Sequence, residues 1–169
     1  MPTILDFKGT TPKIHDSVYL ANDVFVIGDV EIAEDANVWF GSVIRGDVSY
    51  IRIGARTNIQ DMTMIHVSSD FGPTTIAEEV TVGHRVTLHG CHVERKCLIG
   101  MGATVMDHAR IGEQTVIGAG SLVSPGTIIP PRVLALGSPA KVKRDLTDEE
   151  IAYLDTSWQN YVELMEHYK

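Results

Sequence analysis

The sequence is poor in aromatic residues and in cysteine. Phe, Trp and Tyr make up only 7% of its 169 residues, so the core must be built from aliphatic and small side chains. The two cysteines, Cys91 and Cys97, exclude a disulfide framework, and their spacing matches no zinc knuckle. We therefore expect a protein of the reducing cytoplasm.

Long apolar segments and an excess of basic charge are also missing. No stretch reaches the roughly 18 apolar residues that a transmembrane helix needs, and residues 1–10 lack the apolar region of a signal peptide. Lys and Arg number 14 against 22 Asp and Glu, a net charge of −8. This balance argues against nucleic acid and against an anionic membrane as partners.

A six-residue repeat fills the second half of the chain. An aliphatic residue recurs every six positions, and a residue that is usually smaller stands four positions after it. Six fits neither the helical period of 3.6 nor the strand period of two. The repeat predicts one short strand and one turn per unit, with three units closing a coil of about eighteen residues around an aliphatic core. The aliphatic positions are Val93, Ile99, Val105, Ile111, Ile117, Val123 and Ile129, and the smaller ones are Cys97, Ala103, Ala109, Thr115, Ser121, Thr127 and Val133.

The same register runs through the first half of the chain, with three breaks. Three extra residues fall between Ile44 and Ile53, residues 68–73 form an insertion, and one residue is missing before Val93. Insertions in a solenoid are expected to be surface loops, often on the working face. Glycines that follow the aliphatic positions are expected to relieve tight corners with a positive φ: Gly100, Gly112 and Gly118.

A change of pattern near residue 137 predicts the end of the solenoid. We assign residues 1–136 to a β-helix and residues 137–169 to a connecting turn and a C-terminal helix packed on it, within one domain. Thr147 and Glu150 have the spacing of a capping box. Apolar residues at helical spacing then predict an amphipathic helix over about 148–167.

Three of the seven histidines have a spacing that suggests a common site. His84 follows His66 by eighteen residues, one nominal coil, and His89 lies five residues further, on the next face. Three imidazoles gathered at one edge of the solenoid, with a fourth position open, are typical of a catalytic zinc site. The competing interpretation is that these are ordinary surface histidines.

Polar residues of complementary type surround these histidines in the sequence. Arg45 and Asp47 occupy the first register break, and Asn58, Gln60 and Asp61 precede His66. Arg and Asp make strong bidentate pairs across a partly dry subunit seam, and Gln and Asn can orient a water without adding charge. The simpler alternative is that Arg45 and Asp61 are interface salt-bridge residues.

The chain resembles the γ-class carbonic anhydrases, in particular their short bacterial branch. The resemblance covers essentially the whole chain, and its motifs are those at residues 43–47, 53–61, 65–67, 81–84, 88–91, 99–103 and 137–141. Membership implies an all-β fold, the left-handed parallel β-helix of hexapeptide repeats, assembled as a homotrimer. It also implies metal-dependent, reversible hydration of CO₂ to bicarbonate at the trimer interface.

The resemblance also implies a role for each polar residue. His66 and His89 of one chain and His84 of its neighbour would bind the metal, which is zinc, with iron or cobalt as alternatives in the cell. A metal of this kind lowers the pKa of bound water to about 7. Arg45 and Asp61 would pair across the seam. Gln60 and Asn58 would orient the reacting species, and Tyr161 would reach toward the site from the C-terminal helix.

Two departures from the family pattern predict slow turnover. Val48 stands where active members carry a glutamate, and Asp70 is the single carboxylate of a short loop after His66, so proton release has few carriers.

Two alternatives stay open. One is a hexapeptide-repeat acyltransferase or thioesterase, since fold does not fix function. The other is a metal-binding scaffold trimer with weak catalysis.

Overall fold

The computed structural model describes residues 1–69 and 72–169. These residues form a solenoid of short strands followed by one α-helix, α1 (Asp148–Met165). In chain order the strands are β1 (Thr3–Leu5), β2 (Lys13–Ile14), β3 (Tyr19–Leu20), β4 (Phe25–Ile32), β5 (Asn37–Val38), β6 (Val43–Ile53), β7 (Asn58–Ile59), β8 (Met64–His66), β9 (Thr74–Ile76), β10 (Thr81–Val82), β11 (Thr87–His89), β12 (His92–Val93), β13 (Leu98–Ile99), β14 (Thr104–Val105), β15 (Arg110–Ile111), β16 (Val116–Ile117), β17 (Leu122–Val123), β18 (Ile128–Ile129), β19 (Val133–Gly137) and β20 (Ala140–Asp145).

The strands stack into three faces that run along the solenoid. The first halves of β4 and β6, with β8, β11, β14 and β17, form the first face. The second halves of β4 and β6, with β9, β12, β15 and β18, form the second. The third face is β3, β5, β7, β10, β13, β16 and β19. Pairing is parallel within each face, and the predicted left-handed parallel β-helix is confirmed.

The repeat positions line the interior as predicted. From Val93 to Ile129 every aliphatic residue of the repeat is at most 3% exposed. Most of the smaller positions are equally buried, and Thr127 is half-buried. Each coil donates backbone N–H groups to the next, as when Gly100 N bonds Ile117 O at 2.8 Å. The repeat therefore produces both the apolar core and the hydrogen-bonded ladder around it.

The glycines after the aliphatic positions do not turn the corners, so the prediction that they adopt a positive φ is wrong. A Cβ on Gly100 would lie 2.5 Å from the backbone nitrogen of Ala119, and one on Gly112 would lie 2.5 Å from that of Pro131. These glycines let successive coils approach each other. The left-handed corner conformation falls on other residues: Asp35, Arg56, Glu79, Arg85, Lys96, Gly102, His108, Gln114 and Gly120.

The first register break extends a strand instead of forming a loop. β6 continues through the three extra residues, and β4 runs beside it with a shift of register between Gly28 and Val30. Asp47 and Val48 consequently lie on a bulged strand where the first face meets the second. The bulge aims the Asp47 side chain at the end of β8.

The second insertion is a tight reversal of the chain after β8. Gly72 N donates to Ser68 O at 2.9 Å, and Ser68 N donates to Gly72 O at 3.3 Å. Asp70 and Phe71, and with them the predicted loop carboxylate, lie outside the described residues. The extra residues lengthen this coil from eighteen residues to 23. The length follows from the pairing of His89 with His66, which lies 23 residues earlier.

Helix α1 lies against β5, β7 and β10 of the third face. Its predicted capping box is confirmed: the side chain of Thr147 accepts from Glu150 N, and the Glu150 carboxylate accepts from Thr147 N at 2.9 Å. Leu154 and Met165 are buried beneath the helix. In the described part of the chain no helix is long and apolar enough to cross a membrane.

A strand stands where the sequence analysis places only a connecting turn. After β19 the chain reverses, and β20 pairs antiparallel with β19, with Gly137 opposite Ala140. The apolar alternation of β20 is limited to Ala140 and Val142, directly beside the turn residues Gly137, Ser138 and Pro139, and was too short to predict a strand. This hairpin covers the last rung of the third face and leads the chain back toward α1.

We predict that Ile111→Ala lowers the free energy of unfolding by about 2–5 kcal/mol, since it opens a cavity in a closely packed core. Ile111 is fully buried in β15. Ile128→Ala is the matched control, because that side chain is 73% exposed in the neighbouring rung. Denaturant unfolding followed by circular dichroism measures both. Equal, small losses in the two variants would contradict the assignment of inward and outward positions.

Candidate functional site

His66 and His89 meet at the corner between the first and second faces. They end β8 and β11 and occupy the same position of neighbouring rungs. The expectation that His84 stacks on His66 one coil later is wrong, because the insertion makes this coil 23 residues long. We call the group of Arg45, Asp47, His66, His89 and Asp107 the two-histidine corner.

Each of these two imidazoles is held by a carboxylate. His66 Nε2 lies 3.0 Å from Asp47 Oδ1, and His89 Nδ1 lies 2.7 Å from Asp107 Oδ1. Arg45 in turn forms an ion pair with Asp47. Gly90 leaves room for the second contact, since a Cβ there would lie 2.6 Å from Asp107 Oδ1. Carboxylates that hold one nitrogen of a histidine fix the ring so that the other nitrogen can bind a metal.

The two remaining nitrogens face each other. His66 Nδ1 lies 3.2 Å from His89 Nε2. When each neutral ring donates its single N–H to its own carboxylate, both facing nitrogens carry a lone pair, an arrangement that a cation between them relieves. Two nitrogens at about 2.0–2.1 Å from a tetrahedral zinc lie roughly 3.3 Å apart. The donor set and its spacing therefore fit a metal ion.

Burial is the main influence on the protonation of His66 and favours its neutral form. Burial lowers the pKa of His66, and the positive charge of Arg45 adds to that effect, while the hydrogen bond with Asp47 opposes it. Burial alone would raise the pKa of Asp47, but hydrogen bonds from Arg45 and His66 outweigh burial and keep it below its ordinary value. A neutral imidazole beside an ionised carboxylate is the form that metal binding requires.

His84 lies on a different corner, between the third and first faces. Its Nδ1 is 2.8 Å from Asp61 Oδ2, one 23-residue coil earlier. This pair is much more exposed than the carboxylates of the other corner: the side chains are 41% exposed in His84 and 36% in Asp61, against 14% in Asp47 and 13% in Asp107. Together with Gln60 and Tyr161 these two residues make up the single-histidine corner.

A hollow of about 410 Å³ lies beside His84, between helix α1 and the third face. Gln60, Ser157 and Tyr161 contribute to its wall. Burial raises the pKa of Tyr161, and the negative charge of Asp61 raises it further, so the phenol stays protonated as a hydrogen-bond donor. Asn58 is fully buried behind Gln60 and bonds to its amide at 3.1 Å.

The predicted site residues thus fall into two groups within one chain. Arg45, His66 and His89 belong to one corner, whereas Asn58, Gln60, Asp61, His84 and Tyr161 belong to the other. Within residues 1–69 and 72–169 no three His, Cys, Asp or Glu side chains gather into a metal-binding group. Arg45 bonds Asp47, and Asp61 bonds His84, so the predicted Arg45–Asp61 pair is not formed inside a chain.

Sequence reasoning missed Asp107, which orients His89. The available signal was its position eighteen residues after His89, one regular coil further along the two-histidine corner. Asp47 was noticed only as a neighbour of Arg45, although its carboxylate joins Arg45 to His66. Stacking partners one coil away are therefore the residues to inspect around any candidate ligand.

Comparison with known proteins places the chain in a class and then in a family. Residues 90–125 match the pattern "Bacterial transferase hexapeptide (six repeats)". The "Carbonic anhydrase" of Geobacillus kaustophilus is 49% identical over 166 residues, which cover 98% of this chain and 91% of that protein. The protein is thus a hexapeptide-repeat protein. It belongs to the γ-carbonic anhydrase family.

Two further comparisons agree with this assignment. "Gamma carbonic anhydrase 2, mitochondrial" of Arabidopsis thaliana is 42% identical over 167 residues, 96% of this chain. The chain spans about 60% of the length of the plant relatives it matches. Among solved structures, a hexapeptide transferase family protein from Anaplasma phagocytophilum superposes with a TM-score of 0.95 at 40% identity, covering 99% of this chain and 98% of that one.

We predict that Asp107→Ala weakens zinc binding about tenfold to a hundredfold, because His89 loses the carboxylate that orients it. Competition with a chromogenic chelator measures the affinity. Asp16→Ala, at an exposed aspartate outside both the two-histidine and the single-histidine corners, is the control and is expected to bind zinc as the parent does. Unchanged affinity in the Asp107 variant would show that this carboxylate has no part in the site.

Proposed function

We propose that the protein is a homotrimeric metalloenzyme that reversibly hydrates CO₂ to bicarbonate at sites between its subunits. The observation that carries the proposal is the 3.2 Å approach of His66 Nδ1 and His89 Nε2, each ring being bonded through its other nitrogen to a carboxylate. The substrate in this proposal, CO₂, comes from membership of the γ-carbonic anhydrase family. The relatives from Geobacillus kaustophilus and Arabidopsis thaliana are both named carbonic anhydrases.

In this proposal the third ligand is His84 of a neighbouring subunit. The two corners flank opposite edges of the first face, since β11 ends at His89 and the turn before β11 holds His84. When first faces pack around a threefold axis, the two-histidine corner of one chain meets the single-histidine corner of the next. Such head-to-tail contacts close into a ring.

The composition of the first face supports its role as the subunit contact. One ladder of outward positions along this face carries no charge, and its members are Phe25, Val43, Met64, Thr87, Thr104 and Leu122. The corresponding ladder of the second face is largely charged or polar and ends in an isoleucine: Lys13, Glu31, Arg52, Thr75, His92, Arg110 and Ile128. Met62 and Met101 beside the first face are 67% and 56% exposed. Exposed apolar surface of this extent is typical of an interface.

The other predicted residues have roles at the same seam. Arg45 and Asp61 have opposite charges and stand half-exposed on the two corners, so we propose that they pair across the contact. The amide nitrogen of Gln60 donates to Asn58, and the side chain lines the hollow. Its carbonyl oxygen can there accept a hydrogen bond from water or bicarbonate. The Tyr161 phenol is a donor at the same wall.

His66 and His89 of one chain and His84 of its neighbour would hold zinc, or iron or cobalt in its place, and the metal would supply Lewis acidity that lowers the pKa of water to about 7. The chain itself orients the ligand imidazoles through Asp47, Asp61 and Asp107. Gln60 and Tyr161, in the wall of the hollow beside His84, would orient the reacting species through hydrogen bonds. The proton released on hydration leaves to solvent, and Val48 provides no carboxylate to carry it.

A second candidate function is favoured by the hollow beside His84. Its volume of about 410 Å³ far exceeds what CO₂ requires, and Leu98, Met101 and Val116 give it apolar walls. An acyl group bound there would place a thioester or ester carbonyl near the same histidines, as in an acyltransferase or thioesterase. The two functions differ in the substrate turned over by protein of known metal content.

We predict that stopped-flow CO₂ hydration by metal-loaded protein tracks metal content and falls at least a hundredfold in both His84→Ala and His89→Ala. Trimers reassembled from an equal mixture of these two variants are expected to regain about a quarter of the sites, because each mixed trimer pairs one intact corner of each kind. His15→Ala, at an exposed histidine, is the control.

Two results would contradict the proposal in different ways. Mixed trimers that form and bind metal but stay inactive, beside an active parent, would exclude a site shared between subunits. A fully metal-loaded parent that hydrates no CO₂ above background would exclude the anhydrase activity. Turnover of an acyl thioester by that same protein would then favour the second candidate.

A further inference from the structure

Gln60 is connected to helix α1 by a chain of hydrogen bonds that runs behind the candidate site. Gln60 Nε2 donates to Asn58 Oδ1 at 3.1 Å, and Asn58 Nδ2 donates to Thr81 Oγ1 at 3.0 Å. Thr81 Oγ1 lies 2.9 Å from Ser157 Oγ, in the middle of α1. Four polar side chains from β7, the residue that follows it, β10 and the helix therefore form one continuous network.

The network is shielded from solvent. Asn58 is 0% exposed, Thr81 5%, Gln60 6% and Ser157 7%. Water has little access to replace a lost partner, so a missing hydrogen bond would leave a buried polar atom unsatisfied. Each member therefore constrains the next more strongly than it would at the surface.

Either hydroxyl can be the donor of the hydrogen bond between Thr81 and Ser157. A threonine hydroxyl has one hydrogen, and in the arrangement in which that hydrogen goes to Ser157 only lone pairs are left for Asn58, as the donation from Asn58 Nδ2 to Thr81 Oγ1 requires. Asn58 must then present its NH₂ group to Thr81 and its carbonyl oxygen to Gln60. Gln60 consequently gives Nε2 to Asn58 and keeps its own carbonyl oxygen for the hollow.

Without Ser157 the Thr81 hydroxyl is free to donate to Asn58 instead of accepting from it. Both orientations of the Asn58 amide are then satisfied, and so are both orientations of Gln60. We infer that Ser157 and Thr81 are positioning residues, which hold Gln60 with its carbonyl oxygen toward the hollow beside His84. The catalytic consequence of this orientation rests on the proposed function, but the orientation itself does not.

Helix α1 has other anchors, so the serine hydroxyl is not needed to dock it. Lys96 Nζ bonds Asp155 Oδ1 at 2.7 Å. The ring of Trp39 packs edge-on against Tyr161 and Tyr168, with centroids 5.6 and 5.1 Å apart. Removing one hydroxyl from Ser157 therefore changes the hydrogen-bond network and leaves the helix in place.

The orientation is tested on full-length, metal-loaded protein by NMR of the side-chain amide groups of Asn58 and Gln60. In Ser157→Ala we expect their hydrogen exchange to accelerate about tenfold and their resonances to shift, because the amides gain a second arrangement. Ser157→Thr keeps a hydroxyl and is expected to restore the parent spectrum. Thr156→Ala removes an exposed hydroxyl from the adjacent helix position and is the matched control.

CO₂ hydration by the same variants tests the catalytic consequence. Ser157→Ala is expected to lower kcat about threefold to tenfold with little change in KM, with recovery in Ser157→Thr. Unchanged exchange and shifts for Asn58 and Gln60 in Ser157→Ala would overturn the inference whatever the activity. Altered amides with an unchanged kcat in an active enzyme would overturn the positioning role. A parent without hydratase activity contradicts the proposed function alone, since the spectra still decide the orientation.

Discussion

Hydrogen bonds between the backbones of successive coils determine where every side chain of this solenoid lies. A residue in one rung sits beside the residue one coil later, whatever the length of that coil. His84 meets Asp61 across 23 residues, and His89 meets Asp107 across eighteen. The ladder thus builds imidazole–carboxylate pairs from positions that are distant in sequence, and it holds them on rigid strands and corners rather than on loops. Any insertion changes which residues meet, because it changes the length of the coil and not the spacing of the rungs.

These carboxylates decide what the histidines can do. Once Asp47 and Asp107 have taken one nitrogen from each ring, the free nitrogens of His66 and His89 are acceptors directed at each other. Neutral imidazoles have no proton left for that gap, and a cation satisfies both lone pairs at once. Arg45 reinforces the arrangement, since its charge stabilises the Asp47 carboxylate and disfavours protonation of His66. Tautomer, orientation and charge therefore favour the same species, a bound metal ion.

The sequence predicted the fold far better than it predicted the meeting points. Six-residue periodicity from Val93 to Ile129 was sufficient for the core and the three faces, because inward positions are selected by packing alone. The insertion at residues 68–73 was recognised, but its effect on stacking was not, so His84 was expected beside His66 and lies beside Asp61 instead. Asp107 was missed because a carboxylate on an outer corner looks like any solvated residue until its stacked partner is known. β20 was missed because its apolar alternation is limited to Ala140 and Val142, beside a turn-rich segment.

Division of the candidate site between two corners ties assembly to activity in the proposed trimer. A single chain has two features that a partner would complete: two imidazole nitrogens 3.2 Å apart at one corner, and the uncharged side chains of Met62 and Met64, exposed beside and on the first face. Packing that face against its copy buries the apolar surface and brings the half-exposed His84 toward the open pair. Neither corner alone provides three ligands, so a free subunit would bind metal weakly and expose its apolar face. Both features are relieved by the same contact, which explains why ligands, seam-facing charges and apolar residues occupy one surface of an otherwise charged solenoid.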